Sequence, residues 1–120
     1  MARSKRREPR YLNAIRFKIE VDIGPALSMR MNMKNSGDRS FRPVRLLVAP
    51  KLVNKFRLEE IRIQISDDLW LSKPEIEARI GKEGVTLEGL PRLMAKQPVA
   101  IIVTNISPKA ELFEGSLLGE

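Results

Sequence analysis

The sequence predicts an all-β protein: one antiparallel β-sandwich or barrel of about eight short strands, with at most one short helix. Apolar and polar residues alternate along several short segments, which is the pattern of strands that bury one side and expose the other. Turn residues separate these segments at intervals of roughly eight to fifteen residues, as in sandwiches and barrels. A chain of 120 residues is long enough for one core, so residues 11–120 are expected to form a single domain.

The first two segments of the domain are predicted strands. Residues 11–23 have an apolar side chain at every second position from Ile15 onward, and Gly24 and Pro25 then turn the chain. Residues 26–34 repeat the alternation, with these side chains expected to face inward: Leu27, Met29, Met31 and Met33. A methionine stripe at this spacing more often fills gaps in a core than forms a binding surface. Residues 35–38 have the composition of a turn.

Residues 41–66 are the stretch around which the predicted sheet is organised. One strand begins near Pro43 and ends at Pro50. In the next segment the apolar positions are even-numbered at Phe56 and Leu58 but odd-numbered from Ile61 onward. One extra residue near Glu59 and Glu60 would turn both sets inward, which predicts a β-bulge. The alternative is that residues 51–58 form a separate short segment across the end of a barrel.

The rest of the chain is less regular until residue 99. Asp67 and Asp68 lack the further oxygen ligands that calcium requires, so a turn is expected there. Residues 72–80 are interpreted as a helix of one or two turns that begins at Ser72, although Ile76, Ala78 and Ile80 also alternate as in a strand. Further strands are predicted at residues 85–88, at 99–107, where apolar residues on both parities indicate a central strand, and at 110–118. Long strands joined by long middle connections favour a jelly-roll-like order over an up-and-down barrel.

Residue types that are missing exclude most enzymatic chemistry. The sequence contains no cysteine and no histidine, so zinc sites and Ser-His or Cys-His nucleophile pairs are not expected. Adjacent carboxylates, as in Glu59-Glu60, are expected to point to opposite faces of a strand, which does not favour a two-carboxylate site. We therefore expect no catalytic residue, no metal, no cofactor and no small-molecule substrate. No apolar run is long enough for a transmembrane helix, and the N-terminus lacks the apolar core of a secretory signal.

Positive charge is concentrated in the first half of the chain. Residues 1–57 carry a net charge of +11 and residues 58–120 a net charge of −4. Residues 1–10 have little to bury and are expected to form a disordered basic arm that contacts nucleic-acid phosphates, although a merely solvated terminus has the same composition. The candidate nucleic-acid-binding residues are Arg3, Lys5, Arg6, Arg7 and Arg10. One further basic face is possible, made of Arg16, Lys18, Arg30, Lys34, Arg42, Arg45, Lys51, Lys55 and Arg57, with scattered solvated charges as the alternative.

Two parts of the chain resemble small virion proteins of bacteriophages. The strings FRPVRLLVAP and FRLEEIRIQIS lie within residues 41–66, and VAIIVTNIS and FEGSLLGE lie within residues 99–120. Residues 64–68 depart from the Gly-Asn pair common in that family. The resemblance implies a jelly-roll capsid component that sits beside copies of itself and other virion proteins, with its basic arm on the packaged nucleic acid. The expected location is therefore the virion, after synthesis in the host cytoplasm. The rival hypothesis is a small nucleic-acid-binding β-barrel of the OB or ribosomal-protein type.

Overall fold

The computed structural model describes residues 13–67, 69–74 and 76–120. Its strands lie in two antiparallel sheets, and a single short 3-10 turn, Pro50–Leu52, is the helical element of the described residues. In chain order the strands are β1 (Asn13–Lys18), β2 (Ser28–Lys34), β3 (Pro43–Val48), β4 (Phe56–Ser66), β5 (Leu69–Lys73), β6 (Ala78–Arg79), β7 (Val85–Thr86), β8 (Pro98–Asn105) and β9 (Glu114–Gly119).

The order of the strands is that of a jelly roll. The first sheet runs β1-β9-β3-β7 and the second runs β2-β8-β4-β5, with the two-residue β6 also paired to β4. Apart from β6, the strands pair as in one long hairpin whose tip is the turn between β4 and β5: β1 with β9, β2 with β8, β3 with β7, and β4 with β5. Wrapping such a hairpin into two sheets produces the jelly roll. The predicted fold class is therefore confirmed.

The core lies between the two sheets and is supplied mainly by β4 and β8. Ile61 and Ile63 of β4 and Ile101 of β8 are fully buried, and Leu46 and Leu117 face them from the first sheet. Three aromatic rings pack together just before β9. Phe113 stacks on Phe17 with 5.7 Å between ring centroids, and it contacts Phe56 edge to face with 4.8 Å between ring centroids. The methionine stripe is part of this core, because Met31 is buried and Met29 and Met33 pack against it.

The predicted β-bulge is present. The register between β4 and β8 shifts between Leu58 and Glu60, and residues 56–66 form one continuous strand. Phe56, Leu58, Ile61 and Ile63 are consequently all fully buried, although their parity changes. The alternative of a separate segment at residues 51–58 is therefore wrong.

Several local expectations fail where strands end. The helix expected at residues 72–80 is wrong: in the described part of that segment, the chain forms the end of β5 and the two-residue strand β6, and Ile76, Ala78 and Ile80 are more buried than their neighbours Glu77 and Arg79. Val21, Leu27 and Ile65 were expected to face the core but are exposed. The first two lie in the connection between β1 and β2, and Ile65 lies at a second register shift, so period-two alternation no longer determines where they point.

Two buried asparagines fix loops at opposite ends of β8. Asn105 is fully buried; its amide donates to the carbonyl oxygens of Ile23 (2.7 Å) and Lys109 (2.9 Å), and its side-chain oxygen accepts from the Ser107 amide (2.8 Å). Asn35 donates in the same way to the Arg39 carbonyl and accepts from the Gly37 amide. Each side chain thus satisfies buried backbone groups that a connecting loop leaves unpaired.

Candidate interaction surfaces

The five predicted nucleic-acid-binding residues lie outside the described residues. By sequence, residues 1–12 carry +4 of the net charge of +7, since they contain five Lys/Arg and one Glu. The described chain begins at Asn13, which is the first residue of β1 and pairs with Gly119. Strand β1 is at the edge of the first sheet. The basic segment therefore joins the sandwich at a sheet edge.

The single basic face that was considered possible is not formed, because five of its members lie on two opposite surfaces, as the alternative of scattered charges expected. Arg16, Lys18 and Arg45 alternate with core residues of the first sheet and therefore lie on its outer face, whereas Arg30 and Arg57 lie on the outer face of the second sheet. Two lysines are engaged by carboxylates near β9: Lys51 with Glu114 at 2.8 Å and Lys55 with Glu111 at 3.0 Å. The cations of the sandwich are thus dispersed and partly neutralised.

The bulge in β4 places two carboxylates on one surface. Glu59 accepts hydrogen bonds from Arg57 and from the Thr104 hydroxyl, which also bonds Ser28. Glu60 accepts from Arg62 and, at 2.8 Å, from the Ser72 hydroxyl. One group thus links β2, β8 and β4 and the other links β4 and β5, both on the outer face of the second sheet. The expectation that Glu59 and Glu60 point to opposite faces is therefore wrong, since that rule holds only for a regular strand.

These two carboxylates are paired with arginines and remain ionised at neutral pH. The hydrogen bonds from Arg57 and Thr104 lower the pKa of Glu59 below its usual value of 4.5, although partial burial opposes the shift. The hydrogen bonds from Arg62 and Ser72 lower the pKa of Glu60 in the same way, and the charge of Arg30 adds to the effect. A general acid would need the opposite shift. The geometry therefore supports a structural role for the pair.

An arginine and a tryptophan cover the middle of this outer face. The Arg30 guanidinium on β2 lies 5.0 Å from the centre of the Trp70 ring on β5, which is the distance of a cation–π contact. Strands β8 and β4 lie between the two residues, so the contact spans the sheet. Ala100, at the same face of β8, is fully buried. Residues on both faces of β8 are therefore buried, as its apolar residues at odd and even positions predicted.

Several exposed apolar side chains lie near the turn between β4 and β5. They are the following four, with exposed fractions of 41–57 %: Ile65, Leu69, Leu71 and Met94. Gln64, Asp67, Met94 and Pro98 line a shallow cavity of about 420 Å³ beside the turn. We call this surface the β5 patch. Strand β5 was not predicted from the sequence, because Leu69, Trp70 and Leu71 are all apolar and show no alternation. The available signal was three consecutive apolar residues after a turn.

The β5 patch is exposed because the facing sheet is short at that side. Leu71 pairs with the core residue Ile63, so it lies on the face of the second sheet that is directed toward the first. Strands β1 and β2 contact each other, so β5 and β7 share the opposite side of the sandwich. Strand β7 has only two residues, Val85 and Thr86. It does not provide a partner surface for the leucines of β5.

Other classes of site were not found in the described ranges. Within residues 13–67, 69–74 and 76–120, no group of three or more acidic, histidine or cysteine residues is arranged to hold a metal ion. In those same ranges, no helix has the length and apolar character needed to cross a bilayer.

Comparison with known proteins adds no relative: neither the family models, nor the curated proteins, nor the solved structures contain a match to this chain. The resemblance of residues 41–66 and 99–119 to phage virion proteins stays a prediction.

Proposed function

We propose that this protein is a structural component of a viral shell, which assembles through its jelly-roll domain and contacts packaged nucleic acid through its basic N-terminal segment. The observation that carries the proposal is the strand order, β1-β9-β3-β7 over β2-β8-β4-β5. Jelly rolls of this kind are the building blocks of many viral capsids, but they also occur in lectins and cupins, so fold alone does not decide the function.

Two features of this chain support assembly over the other uses of the fold. Four exposed apolar side chains form the β5 patch at the rim of the sandwich, where a neighbouring copy has access. Cupin-type chemistry would require metal ligands in the interior, and the positions that face the core are apolar.

The charge distribution supports contact with a polyanion through the N-terminal segment. More than half of the net positive charge belongs to residues 1–12, whereas the cations of the sandwich are split between two faces. A monomeric nucleic-acid-binding barrel would concentrate its cations or aromatic rings on one face. An OB fold is moreover a five-stranded barrel, which is a different architecture from these two sheets.

The experiment compares the full chain with a variant that lacks residues 2–10. Both are mixed with polynucleotide across a salt series, and particles are imaged by negative-stain electron microscopy. The full chain is expected to form closed particles of uniform size. The shortened chain should keep its β-rich circular dichroism spectrum but bind polynucleotide more weakly, with the slope of log K against log salt reduced by about four, because five cations are lost.

The matched control replaces two cations of the sandwich, in the variant Arg16→Gln/Lys18→Gln. Its salt slope should fall by less than that of the shortened chain, because these residues lie on the outer face of the first sheet. A full chain that stays monomeric with polynucleotide at every salt concentration would contradict the proposal. Equal polynucleotide affinity of the full and shortened chains at matched salt would remove the role of the N-terminal segment.

A further inference from the structure

Strand β1 carries two cations on its outer face, and neither forms an ion pair in the described part of the chain. Arg16 and Lys18 alternate with residues that face the core, so both point away from it, and both are exposed. The pKa of Glu114, opposite Lys18, is lowered by the hydrogen bond from Lys51 at 2.8 Å and to a lesser extent by the charge of Lys18. That carboxylate is therefore already bound by another lysine, and the two cations of β1 stay solvated.

Most cations on the outer face of the second sheet are already engaged by their neighbours. Arg57 and Arg62 are bound by the two carboxylates at the bulge of β4. Arg30 lies over the ring of Trp70, 5.0 Å from its centre. A phosphate that approached these arginines would have to compete with a partner that is already in place and, in two cases, negatively charged.

Two exposed cations of the second sheet, Lys34 and Arg79, form no ion pair among the described residues, but they are far apart. Lys34 pairs with Pro98 of β8, whereas Arg79 pairs with Arg57, which lies opposite Thr104 of β8. Six residues of extended chain, about 20 Å, separate these two levels of the sheet. The same face also carries the two carboxylates at the bulge. Adjacent unpaired cations are thus a feature of β1 and not of this face.

The two cations of β1 continue the basic N-terminal segment. By sequence, residues 1–12 carry a net charge of +4, and β1 begins directly after them at Asn13. Strand β1 is at the edge of the first sheet, so a long polymer can reach its outer face from the side. The outward residues level with Arg16 on the next two strands are Ser116 and Leu47, which place no negative charge beside it. A polyanion bound by the N-terminal segment therefore meets this face next.

We propose that Arg16 and Lys18 form a phosphate-binding site for nucleic acid, which extends the contact of the N-terminal segment onto the outer face of the first sheet. This inference rests on the proposed function and adds which face of the sandwich is directed toward the packaged polymer. Residues two apart on a strand are separated by about 6.8 Å, twice the rise of about 3.4 Å per phosphate along one strand of a duplex. The two cations can therefore contact different phosphates of one strand.

Nucleic acid fits this face better than the other common polyanion, an acidic membrane surface. A peripheral membrane site combines cations with large apolar side chains that enter the lipid. The third outward residue of β1 is Ala14, so this strand has no such side chain beside Arg16 and Lys18. Charge without an apolar anchor is what a phosphate backbone requires.

The site is tested by two double variants of the nuclease-treated full chain that lose the same charge from opposite faces, Arg16→Gln/Lys18→Gln and Lys34→Gln/Arg79→Gln. Affinity for a short DNA duplex is measured by fluorescence anisotropy across a salt series. The first variant should reduce the slope of log K against log salt by about 1.8, because two phosphate contacts are lost, and the second by less than about 0.5. An unchanged slope in the first variant, or a reduction in the second that is as large, would overturn the proposal.

The position of the nucleic acid is tested separately by photocross-linking from single cysteines, which the natural chain does not contain. Full chains with Ser116→Cys, on the outer face of the first sheet, or Asn32→Cys, on that of the second, are labelled with benzophenone maleimide and irradiated with the duplex. Position 116 lies opposite Arg16 and should yield at least about fivefold more cross-linked DNA. Asn32 is the more exposed residue, so accessibility alone favours the control. Equal yields, or a higher yield from position 32, would overturn the proposal.

Vesicles that contain phosphatidylserine are the second probe, because they present anionic charge without a phosphodiester backbone. The natural chain should bind the duplex more tightly than the vesicles at the same salt concentration. Tighter binding to the vesicles, weakened by Arg16→Gln/Lys18→Gln, would assign the two cations to a membrane surface and overturn the proposal.

Failure here is distinguishable from failure of the proposed function. Particles that form with polynucleotide while the two double variants lose equal slope would leave the shell function standing and remove Arg16 and Lys18 as a contact. A slope loss confined to Arg16→Gln/Lys18→Gln, in a chain that never forms particles, would leave the phosphate site standing and remove the shell function.

Discussion

The two sides of the sandwich differ in how many contacts hold their strands and connections in place. On the side of β1 and β2, the connection between these strands is held by backbone hydrogen bonds to residues before β9 and at the end of β8, and by the fully buried Asn105. On the side of β5 and β7, a two-residue strand faces a strand with exposed leucines. The difference indicates that the first side contributes more to stability, whereas the second leaves apolar side chains exposed.

Phe113→Ala is expected to have the largest effect on stability. The ring stacks on Phe17 of β1 and meets the edge of Phe56, so its removal leaves a cavity where the two sheets join. Loss of a buried phenylalanine of this kind costs about 3–5 kcal/mol in the free energy of unfolding. Urea denaturation measures it, and Trp70→Ala is the control on the other side, where about 1 kcal/mol is expected from the lost Arg30 contact. Equal losses in the two variants would break the comparison between the sides.

Asn105→Ala should have the next largest effect. It leaves the carbonyl oxygens of Ile23 and Lys109 and the amide of Ser107 without their side-chain partner. Unsatisfied buried polar groups of this kind cost about 2–3 kcal/mol in total. The control Asn32→Ala, at an exposed position of β2, should stay within about 0.5 kcal/mol of the natural chain. Thermal unfolding of the three proteins checks the ranking; an Asn105→Ala midpoint equal to that of Asn32→Ala would contradict it.

Acid should weaken the hydrogen bonds that Glu59 and Glu60 accept on the outer face of the second sheet. The folded-state pKa values of Glu59 and Glu60 lie below the usual value of 4.5, so their contribution to stability is present above that pH and is lost as pH falls through the lower, folded-state values. Glu59→Gln/Glu60→Gln should therefore be less stable than the natural chain at pH 7, and the gap should shrink toward pH 3.

The pH effect is measured by urea denaturation at a series of pH values. The control Glu88→Gln changes a carboxylate with no ion pair among the described residues and should leave the pH dependence as in the natural chain. A gap between the double variant and the natural chain that stays constant from pH 7 to pH 3 would show that the two carboxylates contribute nothing through their charge.

The smallest effect is expected at the rim of the first sheet. Lys51 pairs with Glu114 at 2.8 Å but is mostly exposed, so the pair is screened by water and salt. Lys51→Ala should cost no more than about 0.5 kcal/mol in the free energy of unfolding. A larger loss in urea denaturation would contradict this expectation, because it would show that the exposed pair of Lys51 and Glu114 contributes strongly to stability.

The parts of the fold that bury alternating residues were predictable from the sequence. A change of parity between Leu58 and Ile61 indicated the bulge, because both apolar sets had to reach one core. The consequence for Glu59 and Glu60 was not predictable in the same way, since the rule that neighbours point to opposite faces fails at the bulge itself. Leu27 was misplaced because alternation says nothing about where a strand begins.

Strand β5 shows why the candidate interaction surface was not predictable. Its leucines lie on the inner side of the second sheet yet remain exposed, and the cause is the length of β7, which is remote in sequence. Exposure that depends on the length of another strand leaves no periodic signal in the segment itself. The basic N-terminal segment is the opposite case: its charge is evident from the sequence, and its attachment at β1 required the fold.

Hydrogen exchange of the full-length, nuclease-treated chain at increasing protein concentration tests most directly whether the two sides differ as described. If the β5 patch is an assembly contact, as proposed, the amides of Leu69–Lys73 should exchange rapidly in dilute solution and become protected at higher concentration, whereas the central strand β8 should be protected at every concentration. Protection of β5 that is already complete in dilute solution, or that does not change with concentration, would contradict the account.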